Sequence, residues 1–348
     1  MSKKLIIHAP NVHQGGGKIL LTTLLKVAGD GLFLLADKRL LASYSLKNIK
    51  FRAVKPSVLS RFFSEIYLYM IANTGDTVLC FGNLPPLFRL RSHAVVFVQN
   101  RYLIDKISLG SFPVRVRLRL MAERFLLKML MTHANEFIVQ TATMKCLLGK
   151  VTKGAVPIKI LPFVANKSGY TRNYVKPSSK KICLYDFIYV ASGEPHKNHE
   201  NLLKAWSILG RENIFPSLYL TIDEHKFISL KIKIDKLRME ERLKIINAGN
   251  MDHYEILEIY KQSKAMIYPS KFESFGLPLI EARQAGLAVL ASELDYVRDI
   301  LDPEVVFDPE SPLSIARAVK RFMAVDEAEL QLQEANEFLA SIYQRGGS

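Results

Sequence analysis

Short apolar runs alternate with helical patterns along the amino-terminal half of the chain. Helical periodicity covers residues 18–27, 57–72 and 114–131. Strand-like runs of nearly continuous apolar residues lie between them, at residues 5–8, 31–35, 77–81, 94–99 and 136–140. Continuous apolar strands are typical of a parallel sheet that is buried on both faces. The pattern therefore predicts a doubly wound α/β domain.

The same rhythm restarts after a polar, basic segment at residues 166–181 that contains Gly, Pro and Ser. This composition is typical of a linker. Further strands are expected at residues 184–190, 217–222, 243–248, 265–268 and 288–291. We therefore predict two Rossmann-like domains, with a closing helix whose packing against the first domain is one option. The predicted boundaries are 1–166 for the first domain, 167–181 for the linker, 182–325 for the second domain and 326–348 for the closing segment.

Composition narrows the class of protein. The 348 residues exceed what one average core requires, and 49% hydrophobic with 23% charged residues is ordinary globular composition. Three isolated cysteines, the lack of a secretory signal and the lack of a long apolar run predict a cytoplasmic protein. The net charge of +15 indicates anionic partners, among which nucleic acid, anionic lipid and phosphorylated substrates all qualify.

Residues 265–292 predict a strand-loop-helix-strand unit. A buried strand ends at Tyr268, Pro278 suits the first turn of a helix, and Gly286 suits the left-handed position after the helix end. The loop of this unit lies at the carboxyl end of the sheet, where open α/β folds bind their ligands.

Two acids flank the start of the predicted helix. Glu273 lies in the loop and Glu281 lies about one turn into the helix. Between them, the backbone N–H groups of Phe275, Gly276 and Leu277 point out of the helix start and form an anion site. A carboxylate, a row of amides and a second carboxylate fit a ligand with hydroxyls at both ends and phosphates in the middle.

This segment resembles the donor site of family 4 of the retaining glycosyltransferases, which have the GT-B fold of two facing Rossmann-like domains. The similarity rests on the E-x7-E pattern, Glu273 to Glu281, inside PS-x2-ES-FGLPLIEA. The resemblance implies that Glu273 contacts the donor sugar and that Glu281 binds the ribose hydroxyls. Ser274 belongs to the same predicted donor site.

A second similarity covers YVASGEPHKNHENLL at residues 189–203. By the resemblance, Lys197 neutralises the donor diphosphate, and Glu273 and Lys197 are the predicted catalytic pair. Ser192 stands where the family usually has an arginine, which leaves the second cation of the usual pair open, with His196 or another basic residue as the alternatives. This departure also leaves open a catalytically inactive relative.

The resemblance implies four further donor contacts. Gly16 and Gly17 follow the first strand and fit an ordinary tight turn, but the resemblance implies that they face the donor phosphates across the cleft. It also implies that Asn250 and Met251 hold the nucleotide base by backbone contacts. Many members carry a histidine where residues 99–100 are Gln-Asn here, so we assign no catalytic histidine.

The resemblance implies transfer of a sugar from a nucleotide-sugar donor to a glycan or lipid-linked acceptor in bacterial surface polysaccharide synthesis, such as O-antigen, lipopolysaccharide or capsule. No Asp-x-Asp pair is present, so we expect no metal and no cofactor besides the nucleotide sugar as co-substrate. A nucleic-acid binder is disfavoured because the basic residues are spread along the chain. A GT-B epimerase or phosphorylase is a further alternative, but no residue can be assigned to either chemistry.

Residues 111–131 mix cations with large apolar side chains. One interpretation is an amphipathic helix that lies on an anionic membrane, at the inner face of the plasma membrane. The other is a core-facing helix whose long cations only reach out to water. The sequence leaves both open. The cations concerned are Arg115, Arg117, Arg119, Arg124 and Lys128.

Overall fold

The computed structural model describes residues 4–29, 31–41, 49–110, 112–175, 183–325 and 335. Within them, the chain forms two sheets whose strand pairs are all parallel. Helices connect the strands in both halves. The structure therefore confirms the predicted fold class of two doubly wound α/β domains.

The first sheet has seven strands in the order β3-β2-β1-β4-β5-β6-β7. Its strands are β1 (Leu5–Ala9), β2 (Leu32–Asp37), β3 (Lys50–Val54), β4 (Thr77–Cys80), β5 (His93–Phe97), β6 (Glu136–Val139) and β7 (Ile158–Ile160). Its α-helices are α1 (Gly15–Val27), α2 (Lys38–Leu41), α3 (Val58–Ile71), α4 (Val114–Leu130) and α5 (Ala142–Thr152). Short 3-10 helices follow β5 and α4, at Arg101–Leu103 and Met131–His133.

The second sheet has six strands in the order β10-β9-β8-β11-β12-β13. Its strands are β8 (Tyr185–Tyr189), β9 (Leu218–Leu220), β10 (Ile245–Asn247), β11 (Ser263–Tyr268), β12 (Ala288–Ser292) and β13 (Val305–Phe307). Its α-helices are α6 (His199–Arg211), α7 (Ile228–Glu240), α8 (His253–Lys261), α9 (Leu277–Gln284), α10 (Asp295–Arg298) and α11 (Pro312–Phe322). A 3-10 helix at Pro195–Lys197 precedes α6.

Edge strands are where the sequence-based assignment failed. Strands β3, β7 and β13 were not predicted, and all three lie at the edge of a sheet. An edge strand packs on fewer neighbours and tolerates polar residues, so its apolar signal is weak. Strand β3, KFRAV, illustrates this, because four of its five residues are exposed. Helix α5 was also missed, and α1 starts at Gly15 rather than at residue 18.

The predicted linker and closing helix are only partly covered. The closing helix, within residues 326–348, lies outside the described residues except for residue 335. Residues 167–175 of the linker pack on the second half, where Arg172 Nε donates to Asp302 Oδ2 at 3.0 Å. In the described part of the chain, no helix combines the length and the apolarity needed to cross a membrane.

A buried arginine anchors α9 from behind. Arg283 is 2% exposed, and its two terminal nitrogens donate to both carboxylate oxygens of Glu304, at 3.2 and 3.0 Å. The same nitrogens also donate to the carbonyl oxygens of Leu287 and Asp302, at 3.3 and 2.9 Å. Helix α9 is therefore tied to the β12–β13 segment by fixed hydrogen bonds.

We expect Arg283→Met to lower the free energy of unfolding by about 3 kcal/mol or more, because the Glu304 carboxylate and two carbonyls lose their arginine donor and only the Val289 N–H still donates to Glu304. The matched control is Arg238→Met on α7, where an exposed Arg238–Asp235 pair spans 3.8 Å. That control should cost less than about 1 kcal/mol. Denaturant unfolding of both variants measures the difference, and equal losses would contradict the anchoring role of Arg283.

Candidate active site

The predicted strand-loop-helix-strand unit is present, with glycine at both ends of α9. Gly276 precedes the helix with φ of 78°, and a Cβ at this position would lie 3.2 Å from Cδ1 of Leu279. Pro278 lies in the first turn, and Gly286 follows the helix end with φ of 73°. These left-handed conformations favour glycine, so the sharp entry of the loop into α9 depends on Gly276.

Three backbone N–H groups at the start of α9 are unengaged. Within the described residues, the N–H groups of Phe275, Gly276 and Leu277 donate to no protein acceptor. Phe275 and Gly276 are nevertheless buried. Free amide donors at a helix start, together with the positive end of the helix dipole, form an anion-binding site.

Glu273 lies two residues before the first of these amides, and one of its oxygens carries three hydrogen bonds. Oε1 accepts from Lys197 Nζ at 2.6 Å, from Ser270 Oγ at 2.8 Å and from the Tyr268 hydroxyl at 3.0 Å. In the part of the chain that the structure describes, Oε2 has no protein donor. The carboxylate is thus held firmly by one oxygen, and the other is available to a ligand.

Burial and charge act in opposite directions on Glu273. Burial by itself raises the pKa of this carboxyl, but the Lys197 ammonium, its hydrogen bond and the Ser270 hydroxyl outweigh that effect and lower the pKa below its ordinary value. Glu273 is therefore ionised at neutral pH. The side chains of Glu273 and Lys197 are only 12% and 16% exposed, so the pair is largely removed from water.

Hydrogen bonds to backbone carbonyls fix the loop that carries Lys197. Lys197 ends the 3-10 helix, and its carbonyl oxygen accepts from the Tyr189 hydroxyl at 2.7 Å. The Lys271 N–H donates to the His196 carbonyl at 2.9 Å. The buried Asn198 donates through Nδ2 to the carbonyls of Pro269 and Pro309, at 3.0 and 2.7 Å. Two motifs that are far apart in sequence are thereby joined into one site.

A cavity of about 260 Å³ separates Glu273 from the first half of the chain. Side chains from both halves line it, so Glu273 faces the gap between the two domains. The first half contributes polar amides, Gly17, Arg101 and Tyr102, and the second contributes the loops before α6 and α9. The polar residues of this cavity are Asn11, Gln14, Asn83, Gln99, Asn100, Arg101, Tyr102, His196, Glu273 and Ser274.

Glu281 lines a neighbouring cavity of about 400 Å³, which also has walls from both halves. Oε1 of Glu281 lies 3.6 Å from His253 Nδ1. Burial raises the pKa of Glu281, and the opposing effects of His253 and the Tyr260 hydroxyl are smaller. The first turn of α1 separates this cavity from that of Glu273, because a Cβ on Gly16 would lie 3.5 Å from Cδ1 of Leu277.

Of the predicted donor residues, Gly17, Glu273 and Ser274 line the first cavity, and Leu277 and Glu281 line the second, so these residues border two adjoining cavities rather than one. The amino end of α1 meets the amino end of α9 between the two carboxylates. Both helix dipoles direct positive charge to this point. In the described residues, no cluster of three or more His, Cys, Asp or Glu side chains is arranged to hold a metal ion.

Six of the predicted donor residues line neither cavity, namely Gly16, Lys197, Asn250, Met251, Phe275 and Gly276. Asn250 is exposed in the turn after β10, and Met251 accepts a hydrogen bond from the Tyr219 hydroxyl at 3.7 Å. Neither residue lines the two cavities, whereas His253, two positions on, does. Ser192 donates its hydroxyl to Glu194 and brings no cation to the site.

Sequence reasoning missed Arg101 and Tyr102. Arg101 Nη1 donates to the Glu273 carbonyl at 3.3 Å, and its guanidinium carbon lies 4.5 Å from the centre of the Phe272 ring. The Tyr102 ring packs on the same phenylalanine, at 4.4 Å between centroids. Both residues follow β5 at the carboxyl edge of the first sheet, where ligands are expected in open α/β folds. That position was the signal that could have identified them.

The basic helix α4 has two apolar faces. Leu120, Leu127 and Leu130 are buried against the core. A second stripe is exposed, although a helix that only packs on the core would be polar there. The exposed apolar residues are Val114, Leu118, Met121, Phe125 and Met129.

Four of the five predicted membrane cations lie on the outer side of α4. Arg115, Arg117, Arg119 and Lys128 are exposed. Arg124 is not part of this surface, because its guanidinium donates inward to the carbonyl oxygens of Tyr102, Asp105 and Ile107, at 2.7, 2.9 and 3.2 Å. Arg124 therefore holds the segment that follows Arg101, and the membrane assignment of this one residue is corrected.

Two facing α/β domains with ligand-sized cavities between their sheets define the GT-B fold. The crystal structure of HepE from Anabaena, in complex with UDP-glucose, has the same fold, with a TM-score of 0.65 at 15% identity over 92% of this chain and 89% of that chain. The sequence of the second half also matches the family model described as Glycosyl transferases group 1, over residues 172–337.

Two relatives by sequence are O-antigen or serotype mannosyltransferases. The chain is 31% identical over 153 residues to the serotype-specific mannosyltransferase WbdA of Escherichia coli, across 43% of this chain and 18% of that protein. It is 23% identical over 210 residues to the O-antigen chain mannosyltransferase RfbU of Salmonella typhimurium, across 59% of this chain and 56% of that protein. The similarity therefore spans less than two thirds of either relative.

The two glutamates should respond to pH in opposite directions. Because the folded pKa of Glu273 is lowered, the stability it contributes is present above the unfolded pKa of about 4.3 and is lost as the pH falls through the folded value. Because the folded pKa of Glu281 is raised, its contribution is present below about 4.3 and is lost as the pH rises through the folded value. Denaturant unfolding from about pH 3 to 7 measures both effects. The variants Glu273→Gln and Glu281→Gln each remove the ionisation of one of the two glutamates.

We expect Glu273→Gln to be less stable than the wild type at neutral pH, with a deficit that shrinks toward pH 3. Glu281→Gln should gain stability relative to the wild type as the pH rises from 4 to 7. Glu310→Gln, at an exposed glutamate paired with Lys271, is the matched control. If the unfolding free energies of Glu273→Gln and Glu281→Gln changed with pH in the same way, the two glutamates would not lie in opposite electrostatic environments.

Proposed function

We propose that this chain is a retaining glycosyltransferase that moves a hexosyl group from a nucleotide-sugar donor to a glycan or lipid-linked acceptor. The observation that carries the proposal is the buried Lys197–Glu273 pair, at 2.6 Å, beside three free amides of the α9 start in the cleft between the domains. This arrangement offers a hydrogen-bond acceptor for sugar hydroxyls next to donors for a diphosphate.

The amides, the α1 helix start and Lys197 supply hydrogen-bond donors and positive dipole ends for the leaving diphosphate. Negative charge develops on that group as the glycosidic bond breaks, and fixed donors in a largely dry site stabilise it strongly. Glu273 offers Oε2 to a sugar hydroxyl, and Glu281 offers its carboxylate to the ribose. The acceptor attacks the same face that the diphosphate leaves, and the departing phosphate takes the acceptor proton.

The similarity to mannosyltransferases supports mannose as the transferred sugar and bacterial surface polysaccharide, O-antigen in particular, as the product. The HepE complex supports a uridine nucleotide as one donor class to test. We further propose that the reaction needs no metal and no cofactor beyond the nucleotide sugar, because the protein itself provides donors for both phosphates. Purified protein is to be assayed with UDP-, GDP- and dTDP-linked sugars.

Glu273→Gln should reduce transfer or donor hydrolysis by about 100-fold or more. The neutral amide weakens the contact to the sugar and no longer holds the Lys197 ammonium in place by charge. The control is Glu310→Gln, an exposed glutamate of the same half, which should retain wild-type turnover. Circular dichroism establishes folding, and the anomeric configuration of the product by NMR distinguishes retention from inversion.

Three results would contradict this proposal. Wild-type protein that is folded but turns over none of the donors would favour an inactive relative, which the serine at position 192 already raises. Equal activity of Glu273→Gln and wild type would remove Glu273 from the reaction. Activity that is abolished by a chelator and restored by Mn²⁺ would refute metal independence.

We also propose that the outer surface of α3 and α4 docks on an anionic membrane at the cytoplasmic face, where lipid-linked acceptors are held. Helix α3 exposes apolar side chains as α4 does, and Arg61 of α3 is close enough to Glu123 of α4 to oppose the rise that burial causes in the pKa of that carboxyl. We propose that the outer sides of the two helices act together as one apolar surface with basic residues around it, which suits acidic lipid head groups. The exposed apolar residues of α3 are Val58, Leu59, Phe62, Phe63, Tyr69 and Met70.

Co-sedimentation with vesicles measures this docking. Wild-type protein should bind phosphatidylcholine vesicles that contain phosphatidylglycerol much more tightly than phosphatidylcholine alone. Changing Arg115, Arg117 and Arg119 to glutamine should weaken binding to the anionic vesicles by on the order of 100-fold, at about 1 kcal/mol per cation. The charge-matched control changes three exposed cations of the second half to glutamine, one just before α7 and two within it. They are Lys226, Lys236 and Arg238.

The control variant should bind as the wild type does. Equal binding of the wild type to both kinds of vesicle would remove the electrostatic part of the proposal. Phe125→Ser tests the apolar part, and unchanged vesicle binding of that variant would show that the exposed stripe of α4 does not enter the lipid.

A further inference from the structure

We infer that Arg101, a residue of the first half of the chain, binds the terminal phosphate of the donor's diphosphate and is the second cation of the site. This inference rests on the proposed function, because it names a contact of the same donor site. It concerns the phosphate that bears the leaving charge when the sugar departs.

A diphosphate in this cleft needs a hydrogen-bond donor besides Lys197. Lys197 Nζ is paired with Glu273 at 2.6 Å and Arg101 Nε with Asp105 at 2.9 Å, so neither pair brings net charge, but the terminal nitrogens of Arg101 lie outside its ion pair. Among the described residues that line the cavity of Glu273, Arg101 is the one lysine or arginine. Burial and the neighbouring Lys197 lower the pKa of His196, which leaves that ring neutral.

The position of Arg101 suits a phosphate at the start of α9. Its Nη1 lies 3.3 Å from the carbonyl oxygen of Glu273, two residues before the first free amide at Phe275. The guanidinium lies over the Phe272 ring, at 4.5 Å, and Nε donates to Asp105 Oδ2 at 2.9 Å. Stacking and the Asp105 contact fix the plane of the guanidinium.

Because the plane of the Arg101 guanidinium is fixed, the directions of its other N–H donors are fixed too. Among the described residues, no acceptor pairs with Nη2, and the Arg101 side chain is 18% exposed. An arginine that keeps one nitrogen free next to unengaged backbone amides can bind a phosphate oxygen jointly with them. Glu273 is connected to both sets of donors, since Arg101 contacts its carbonyl and the amides follow it in sequence.

A purely structural role is the competing explanation. Arg101 contacts Phe272 and Glu273 across the gap, so it also holds the two halves together. Tyr102 packs on Phe272 as well, at 4.4 Å, so the contact between the halves does not depend on Arg101 alone. A contact to the terminal phosphate changes the binding of nucleoside diphosphates only, whereas a structural role changes the binding of all nucleotides.

The test compares nucleoside diphosphates with monophosphates by isothermal titration calorimetry. The probes are UDP and GDP with UMP and GMP, and the proteins are wild type, Arg101→Gln, Arg101→Lys and the control Arg172→Gln, whose arginine pairs with exposed Asp302. Wild type should bind one diphosphate more tightly than its monophosphate. Arg101→Gln should weaken that diphosphate by roughly 10- to 100-fold and change the monophosphate by less than about threefold.

Arg101→Lys keeps the positive charge but lacks the planar guanidinium, so it should keep part of the preference for the diphosphate over the monophosphate. The control Arg172→Gln should keep the full wild-type preference. A diphosphate preference that persists in Arg101→Gln, or an equal loss for both nucleotide classes, would overturn the inference and leave the proposed function standing. Wild-type protein that binds neither class would refute the donor site itself, and the inference with it. Thermal unfolding checks that each variant is folded.

Discussion

The donor-side loops of this protein are organised around one buried ion pair, between Lys197 and Glu273. Removing two charges from water costs several kcal/mol, so such a pair is a weak source of stability unless further donors compensate it. Ser270 and Tyr268 provide that compensation on the same carboxylate oxygen. The hydrogen bond from Lys271 to the His196 carbonyl aligns the two loops independently of the charges. The pair is therefore held in place by the fold and does not itself have to create the geometry.

The electrostatics of the cleft differ from those of the whole chain. The net charge of +15 is distributed over the surface, including the outer side of α4, whereas the cleft combines a neutral ion pair with neutral amides. Its positive potential comes from two helix starts that meet at Gly16 and Leu277. Fixed dipoles need no reorganisation when charge develops on a ligand, whereas surface lysines are screened by salt. A high net charge is consequently a poor guide to this site.

Local signals in the sequence predicted the parts of the site that depend on local geometry. Pro278 and the glycines at 276 and 286 specify how a helix begins and ends, so the unit around α9 was predictable from its own residues. The meeting of Lys197 with Glu273, 76 positions apart, came from the resemblance, because spacing alone does not indicate a tertiary contact. The separation into two cavities was not predictable, since it depends on α1 packing against Leu277.

The same limit explains the errors in the first half. Helix α4 has apolar residues on opposite faces, so its periodicity could not show that Arg124 points inward while its neighbours point outward. Arg101 followed a correctly predicted strand, but its approach to Phe272 depends on how the two domains face each other. Contacts between domains leave no periodic pattern in either domain. Most of the polar lining of the Glu273 cavity was therefore beyond sequence reasoning, since seven of its ten polar residues belong to the first half.

The lowered pKa of Glu273 also bears on how the site can act. A carboxylate that is ionised well below neutral pH and bound by three donors on Oε1 is a poor general base. Its free oxygen, Oε2, can still accept a hydrogen bond from a sugar hydroxyl without taking the proton. The reaction proposed for the cleft needs such a hydrogen-bond acceptor, because the departing phosphate, and not Glu273, takes the proton of the attacking hydroxyl. A mechanism that required Glu273 to deprotonate the acceptor would need the pKa to be shifted in the other direction.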